Sequence, residues 1–307
     1  MNLHGKDILH GEQFRREHLD AILEKAREVQ IRLEKGEILE ALRGKILGTL
    51  FFEPSTRTRL SFEAAMHRLG GSVIGFASTE GTSIAKGESF EDTIRTVDQY
   101  VDAIAVRHPA IGSAERAAKI AGAPVFNCGD GAGQHPTQAL LDLFTIHDER
   151  GTVDGATILL CGDLKHGRTV HAGVELYKHY RVELVFVSPD ELRMPEDIVS
   201  RLEQNKIPIR QTSDLDAAIT EADVIYMTRI QKERFTDLKS YESHRGRYIL
   251  SRDMLETRNP KATVLHPLPR VDEITPEVDT LDNAAYFRQV RNGMVVRMAL
   301  LMMVLGA

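Results

Sequence analysis

Cysteine is nearly absent: the 307-residue chain has two, Cys128 and Cys161. Neither a disulfide framework nor a cysteine-based zinc site can be built from them, and the expected location is a reducing cytoplasm. Long apolar runs are missing too. The longest, Met298–Gly306, is far short of a bilayer span. The opening residues MNLHGKDILH carry charge where a secretory leader would have an apolar core. An excess of positive charge is also lacking. The 39 Lys+Arg stand against 45 Asp+Glu, a net charge of −6. That argues against a general nucleic-acid binder and leaves room only for a local basic pocket. Repeats and low-complexity segments do not stand out. What remains is 42% hydrophobic and 27% charged, the mix of a soluble globular protein, at a length that suggests two domains.

Alternating helix and strand signals run through both halves. In the first half, strands are expected at 45–52, 72–76, 102–106 and 124–127. Helices are expected at 12–36, from Pro54 to Leu69, at 89–100 and at 113–121, with a small, polar loop over 77–88. The stretch GDGAGQHPTQ (129–138) breaks the pattern and runs into a helix at 136–149. The pattern then restarts, with strands at 156–161, 182–187, 207–210, 223–227 and 262–265 and helices at 168–180, 195–204 and 214–221. Such alternation predicts an α/β protein of two domains, each a mainly parallel sheet flanked by helices. The last helix, about 290–305, is apolar on most faces and is expected to return to the first domain. The expected domains are thus 1–135 plus about 290–307, and 136–289.

In open α/β sheets ligands bind beyond the C-terminal strand ends, and that is where the chemistry-bearing residues fall. Glu53-Pro54-Ser55-Thr56-Arg57-Thr58-Arg59 follows a buried strand and opens a helix. Free N–H groups at a helix start bind anions, and three hydroxyls interleaved with two arginines exceed what a helix cap needs. Arg107 ends the strand at 102–106; alone it reads as an ordinary strand-end charge. Gln134-His135-Pro136-Thr137-Gln138 again sits between strand and helix and, alone, reads as a turn. GDLKHGRT (162–169) nearly matches a nucleotide-binding glycine-rich loop, but Arg168 stands where that loop has lysine, and nucleotide binding is not expected. Arg229 lies in a charged run after the strand at 223–227, and Pro267 and Leu268 lie in a rigid His-Pro-Leu-Pro-Arg turn. Lys86 sits in a mobile-looking loop. The cysteines, each followed by Gly-Asp, read as buried strand-end residues. Four arginines (57, 107, 168 and 229) at strand ends, with no metal cluster and no dinucleotide motif, suit a phosphate plus carboxylates.

FFEPSTRTRLSFEAAMHRLGG, VRHP, GDGAGQHPTQALLDLFTI, GDLKHGRTVH, YMTRIQKERF and HPLPRVDEI, in this order along nearly the whole chain, resemble the catalytic chains of the aspartate/ornithine carbamoyltransferase family, on its aspartate side. Ornithine enzymes typically carry a His-Cys-Leu-Pro motif and an SMG-type loop. Here those places read His266-Pro267-Leu268-Pro269 and Met227-Thr228-Arg229-Ile230-Gln231. The resemblance implies carbamoyl transfer from carbamoyl phosphate to L-aspartate, in pyrimidine synthesis, without a cofactor or metal. It implies that the first domain binds carbamoyl phosphate and the second binds aspartate. Ser55, Thr56, Arg57, Thr58 and Arg107 would hold the phosphate, and Thr58, Arg107 and His135 the carbonyl oxygen. Gln138 and the backbone of Pro267 and Leu268 would hold the carbamoyl NH2. Arg168, Arg229 and Gln231 would bind the aspartate carboxylates, with Glu53 and Arg234 orienting arginines. It further implies a homotrimer in which a neighbour donates Ser83 to the carbamoyl phosphate site and Lys86 to both substrates, and it leaves room for a regulatory chain. No nucleic acid or membrane partner is expected. The rival readings are a carbamoyltransferase for another amine, such as ornithine, and a non-catalytic phosphometabolite sensor.

Overall fold

A computed structural model describes residues 3–131, 133–230 and 246–307. In chain order the elements are α1 (Arg16–Glu34), β1 (Ile46–Phe51), α2 (Thr56–Arg68), β2 (Ser72–Phe76), α3 (Phe90–Asp98), β3 (Ala103–His108), α4 (Ser113–Ala118), β4 (Val125–Asp130) and α5 (Pro136–Arg150). There follow β5 (Thr157–Cys161), α6 (Arg168–Tyr177), β6 (Glu183–Val187), α7 (Glu196–Gln204), β7 (Ile209–Thr212), α8 (Leu215–Ala218), β8 (Val224–Met227), α9 (Arg252–Arg258), β9 (Thr263–Leu265) and α10 (Tyr286–Leu305).

The chain divides into two compact units, Met1–Phe144 with Val290–Ala307, and Thr145–Gln289. The first contains an all-parallel sheet in the order β2-β1-β3-β4. The second contains an all-parallel sheet in the order β7-β6-β5-β8-β9. Inner strands covered on both faces read as unbroken apolar runs, as in ILLC and VIYM. The first core packs Leu50, Ile104, Val106 and Val125 against Ile94 of α3 and Ala114 and Ala117 of α4. The second packs Leu159, Val185 and Ile225 against Leu215, Leu255 and Tyr286. From Val290 onward α10 belongs to the first unit, and the apolar run that makes it hydrophobic all round is buried there.

Several element ends differ from the sequence expectation. The helix expected to reach residue 180 stops at Tyr177. The one expected over 214–221 breaks after Ala218 into a 3-10 turn, and the last helix begins at Tyr286 rather than 290. The strand expected at 207–210 forms over Ile209–Thr212. The loop at 77–88 contains a 3-10 turn, Ser83–Lys86. The boundary expected before Pro136 compares with a division between the two compact units that falls inside α5, after Phe144. The first turns of α5 pack within the first unit, where Thr137 accepts a hydrogen bond from Arg297 of α10.

Strand order fixes where a site can form. Each sheet winds outward in one direction and then reverses, and the crevice at the reversal is the place where ligands bind. In the first sheet the reversal falls between β1 and β3; in the second, between β5 and β8. The residues at or just past the ends of those four strands are Glu53–Thr58, Arg107 and His108 (the last two of β3), Gly162–Arg168, and Thr228 and Arg229. Glycine permits close approach at two strand ends. A Cβ on Gly131, after β4, would lie 2.2 Å from the Pro109 carbonyl oxygen, and one on Gly162, after β5, would lie 2.2 Å from that of Thr228.

Candidate active site

At the first reversal, Ser55 is the extended N-cap of α2, yet its side chain makes no cap hydrogen bond. The hydroxyl is therefore not consumed by the helix it opens, unlike an ordinary serine cap. Thr56 and Arg57 are exposed. Thr58, one turn in, is buried, and its Oγ1 lies 3.4 Å from Nε2 of His135. His135 is itself buried and immediately precedes α5, whose first residue is Pro136. Proline suits that position because its missing N–H would have had no helical partner.

Arg107 is 8% exposed at the end of β3. The β3–β4 register shifts between Val106 and His108, an irregularity that re-aims the side chain it contains. Its guanidinium donates from Nη1 to the Cys128 carbonyl (3.2 Å) and from Nη2 to Glu53 Oε1 (3.3 Å). Nε of Arg107 and Oε2 of Glu53 are buried and have no hydrogen-bond partner. Buried polar atoms left this way are costly, and a polar ligand relieves the cost. Gln138 completes the group; its Nε2 donates to Asp142 Oδ1 at 2.8 Å. The structure thus links Thr58 to His135 and Glu53 to Arg107. Ser83 and Lys86 are exposed on their turn, and neither bonds to this group.

At the second reversal, Thr228 is tied to β5 through its N–H and Oγ1, both donating to the Cys161 carbonyl (2.8 and 3.0 Å). Arg229 follows, half-buried, and lines a cavity with Thr228, Tyr248, Asp272 and Glu273. Burial raises the Tyr248 hydroxyl above its usual range, so it stays a neutral donor. Arg168 opens α6 and is half-buried. The loop before it is held by Asp163, fully buried, which accepts from the N–H of His166 (3.0 Å) and sits 3.1 Å from its Nδ1. His171 Nε2 lies 2.7 Å from the Leu164 carbonyl. Burial pushes that imidazole's pKa down, so it is neutral and donates. Gln231 and Arg234 lie outside the described residues.

The turn after β9 is organised by one imidazole. His266 Nδ1 accepts from the Leu268 N–H (2.8 Å), and its Nε2 lies 2.6 Å from Glu273 Oε1. With Nδ1 accepting, the ring proton sits on Nε2 and is donated to Glu273. Burial raises the Glu273 carboxyl, but the hydrogen bond from His266, with those from the backbone N–H groups of Glu273 and Val271, outweighs it and the pKa falls below its usual value. Leu268 takes φ +51°, and the Leu268–Pro269 peptide is cis. The amide of Leu268 is spent on His266.

Sequence reading missed Asp142, Glu273 and Arg297. Asp142 stands four residues after Gln138 on one helix, a spacing that signals contact; the other two have no local signal. Both cysteines are fully buried with raised pKa values, that of Cys128 pushed by burial to about 12, which suits inert thiols.

Residues 6–148 match the family model described as aspartate/ornithine carbamoyltransferase, carbamoyl-P binding domain, and residues 154–304 match the Asp/Orn binding domain of the same family. The chain is 53% identical over 306 residues to the aspartate carbamoyltransferase catalytic subunit of Thermococcus gammatolerans, covering 100% of this chain and 99% of that one. Its fold matches the catalytic subunit of M. jannaschii aspartate transcarbamoylase with TM-score 0.91 at 47% identity, over 96% of each chain. It matches the Trypanosoma cruzi aspartate transcarbamoylase in complex with carbamoyl phosphate and aspartate with TM-score 0.94 at 45% identity, over 99% of this chain and 98% of that one.

The chain belongs to the aspartate/ornithine carbamoyltransferase family.

In the terms of this family, the first reversal lies in the half matched to the carbamoyl-P model and the second in the half matched to the Asp/Orn model. Family membership spans both acceptor amines. Charge separates them: ornithine brings a second ammonium, whereas Arg168 and Arg229 suit a second carboxylate.

Proposed function

We propose that this chain transfers the carbamoyl group of carbamoyl phosphate to the amine of L-aspartate, giving N-carbamoyl-L-aspartate and phosphate, the step its relatives' names describe. The observation that carries the site assignment is the Glu53–Arg107 pair at the first reversal, with the buried Nε of Arg107 and Oε2 of Glu53 lacking hydrogen-bond partners, together with the Thr58–His135 pair and a serine cap with an unspent hydroxyl.

Ser55, Thr56, Arg57 and Thr58 hold the phosphate at the start of α2, where the helix dipole favours negative charge. Arg107 bridges phosphate and carbonyl oxygen, and Thr58 and His135 donate to that oxygen. Gln138 and the carbonyls of Pro267 and Leu268 receive the carbamoyl NH2. Arg168 and Arg229, with Gln231, take the aspartate carboxylates, and Glu53 and Arg234 orient arginines. The neutral amine attacks the carbamoyl carbon. A C–N bond forms as the carbonyl oxygen gains charge, then the C–O bond to phosphate breaks and the departing phosphate accepts the amine proton. Each donor preorganised for the oxyanion contributes about 3–4 kcal/mol, and holding amine and carbon in contact contributes roughly 7–11 kcal/mol at best. His135 acts as a hydrogen-bond donor. The exposed Ser83–Lys86 turn is read as a contribution to a neighbour's site in a cytoplasmic homotrimer, one able to accept a regulatory chain.

The deciding assay incubates purified protein with carbamoyl phosphate and either aspartate or ornithine and follows each carbamoylated product. Carbamoyl aspartate alone is expected. Carbamoyl ornithine would move the enzyme to the other branch, and binding without turnover would make it a sensor. The shared site has its own test. Arg57→Ala and Lys86→Ala chains, each inactive, should regain activity when mixed and allowed to exchange subunits. No recovery after exchange verified by mass would overturn that part.

A further inference from the structure

Arg297 stands out among the charged residues of the first unit. It lies on α10, is 3% exposed, and among the described residues forms no ion pair. Its Nη2 donates to Thr137 Oγ1 at 3.3 Å, its guanidinium sits 5.1 Å from the centre of the Phe62 ring, and its Nε is buried with no hydrogen-bond partner. Burial drives its pKa down to about 10, with the Cys128 thiol and the Asp142 carboxylate pulling the other way through space. At neutral pH it is still a cation. Burying a cation without a directly bonded carboxylate is expensive, and a helix this apolar has no packing need for one.

Its neighbours say what it is for. Thr137 and Gln138 form the first turn of α5, directly after His135, and Phe62 lies on α2, which carries Thr58. Asp142 is fully buried and receives the Gln138 amide. A carboxylate only accepts hydrogen bonds, so the end of the amide facing it must be the NH2, and the carbonyl end is the one left over.

We propose that Arg297 is a positioning residue for carbamoyl recognition. It pins the first turn of α5 through Thr137, so that Gln138, whose NH2 is held by Asp142, presents its carbonyl oxygen to the carbamoyl NH2. This rests on the reading of Gln138 given above. It predicts that Arg297 matters for the carbamoyl half of the substrate and little for the phosphate half, which is held from α2.

The test is calorimetric binding of carbamoyl phosphate and of inorganic phosphate to wild type, Arg297→Met, Arg297→Lys, Asp142→Asn and Gln138→Ala, with steady-state kinetics alongside. Arg297→Met is expected to weaken carbamoyl phosphate about tenfold and phosphate by less than about twofold. Arg297→Lys, which keeps the charge, should recover most of the loss. Asp142→Asn should reproduce the defect, and serves on its own if Arg297→Met does not fold. Adding Arg297→Met to Gln138→Ala should cost little beyond Gln138→Ala alone, because both act through one amide. Equal loss of both ligands, or additive losses in the double variant, would overturn the proposal and leave Arg297 as packing. Wild type binding carbamoyl phosphate no more tightly than phosphate would instead sink the reading of the site.

Discussion

The first sheet reverses between β1 and β3 and the second between β5 and β8, but the two reversals are furnished in different ways. In the first, the reactive side chains bond to one another: Arg107 to Glu53 and Thr58 to His135. In the second, the bonds go to the backbone of the loops. Asp163 holds His166, His171 holds Leu164, Thr228 holds β5, and His266 with Glu273 holds Leu268. Arg168 and Arg229 ride on those loops. The contrast fits two tasks. A group that stabilises charge developing in a transition state must be fixed before the reaction. A group that grips the ends of an acceptor needs its loop held, while the side chain itself adapts.

The largest effect should come from the first reversal. Arg107→Ala removes a cation from phosphate and carbonyl oxygen together, and kcat should fall roughly 10²–10³-fold. Steady-state rates at saturating substrates check this. A loss of only a few-fold would mean that the Arg107–Glu53 pair serves stability and not chemistry. A smaller and differently shaped effect is expected at the second reversal. Arg229→Ala should raise the KM for aspartate roughly 10–100-fold, the worth of charge-assisted hydrogen bonds, and leave carbamoyl phosphate binding nearly unchanged. Equal damage to both substrates would erase the division of labour between the two sheets.

The same contrast explains what could be read without coordinates. Parallel strands covered on both faces must be apolar throughout, so β1, β3, β5, β6 and β8 announce themselves. α9 does not. It has seven residues and buries only Leu255, so no apolar stripe marks it, and its one clue is Ser251, which caps the Met254 N–H. Ser55–Thr58, Arg107 and His135 are legible because strand-end residues are where ligands must go. Glu273 and Arg297 are not, because their work depends on partners brought together only by folding. Arg297 meets Thr137 across 160 residues of chain. The element ends drift for a similar reason. Tyr177 ends α6 where the pattern of apolar residues would carry it on to 180.

The smallest expected effect concerns the loop scaffold of the second unit and its dependence on pH. Burial lowers the pKa of His171 below its usual 6.5; Asp163 and Asp197 pull it up, and His166 pushes it down further. As pH falls through 6.5 the unfolded chain takes up this proton while the folded chain still refuses it. The unfolded state therefore gains, and stability declines from pH 6.5 down to the folded pKa, below which this contribution is constant. His171→Gln removes the proton but keeps a donor for the Leu164 carbonyl. Its Tm should drop less than wild type between pH 7 and pH 5.5, by about 2 °C. His108, whose pKa burial and Arg116 also depress, contributes a parallel slope from the first unit that this variant leaves in place. An identical pH response in His171→Gln and wild type would show that the imidazole takes up its proton as readily in the folded chain as in the unfolded one. The Leu164 contact would then carry a neutral donor above pH 6.5 and a charged one below it, and burial would not be what sets the character of the α6 loop.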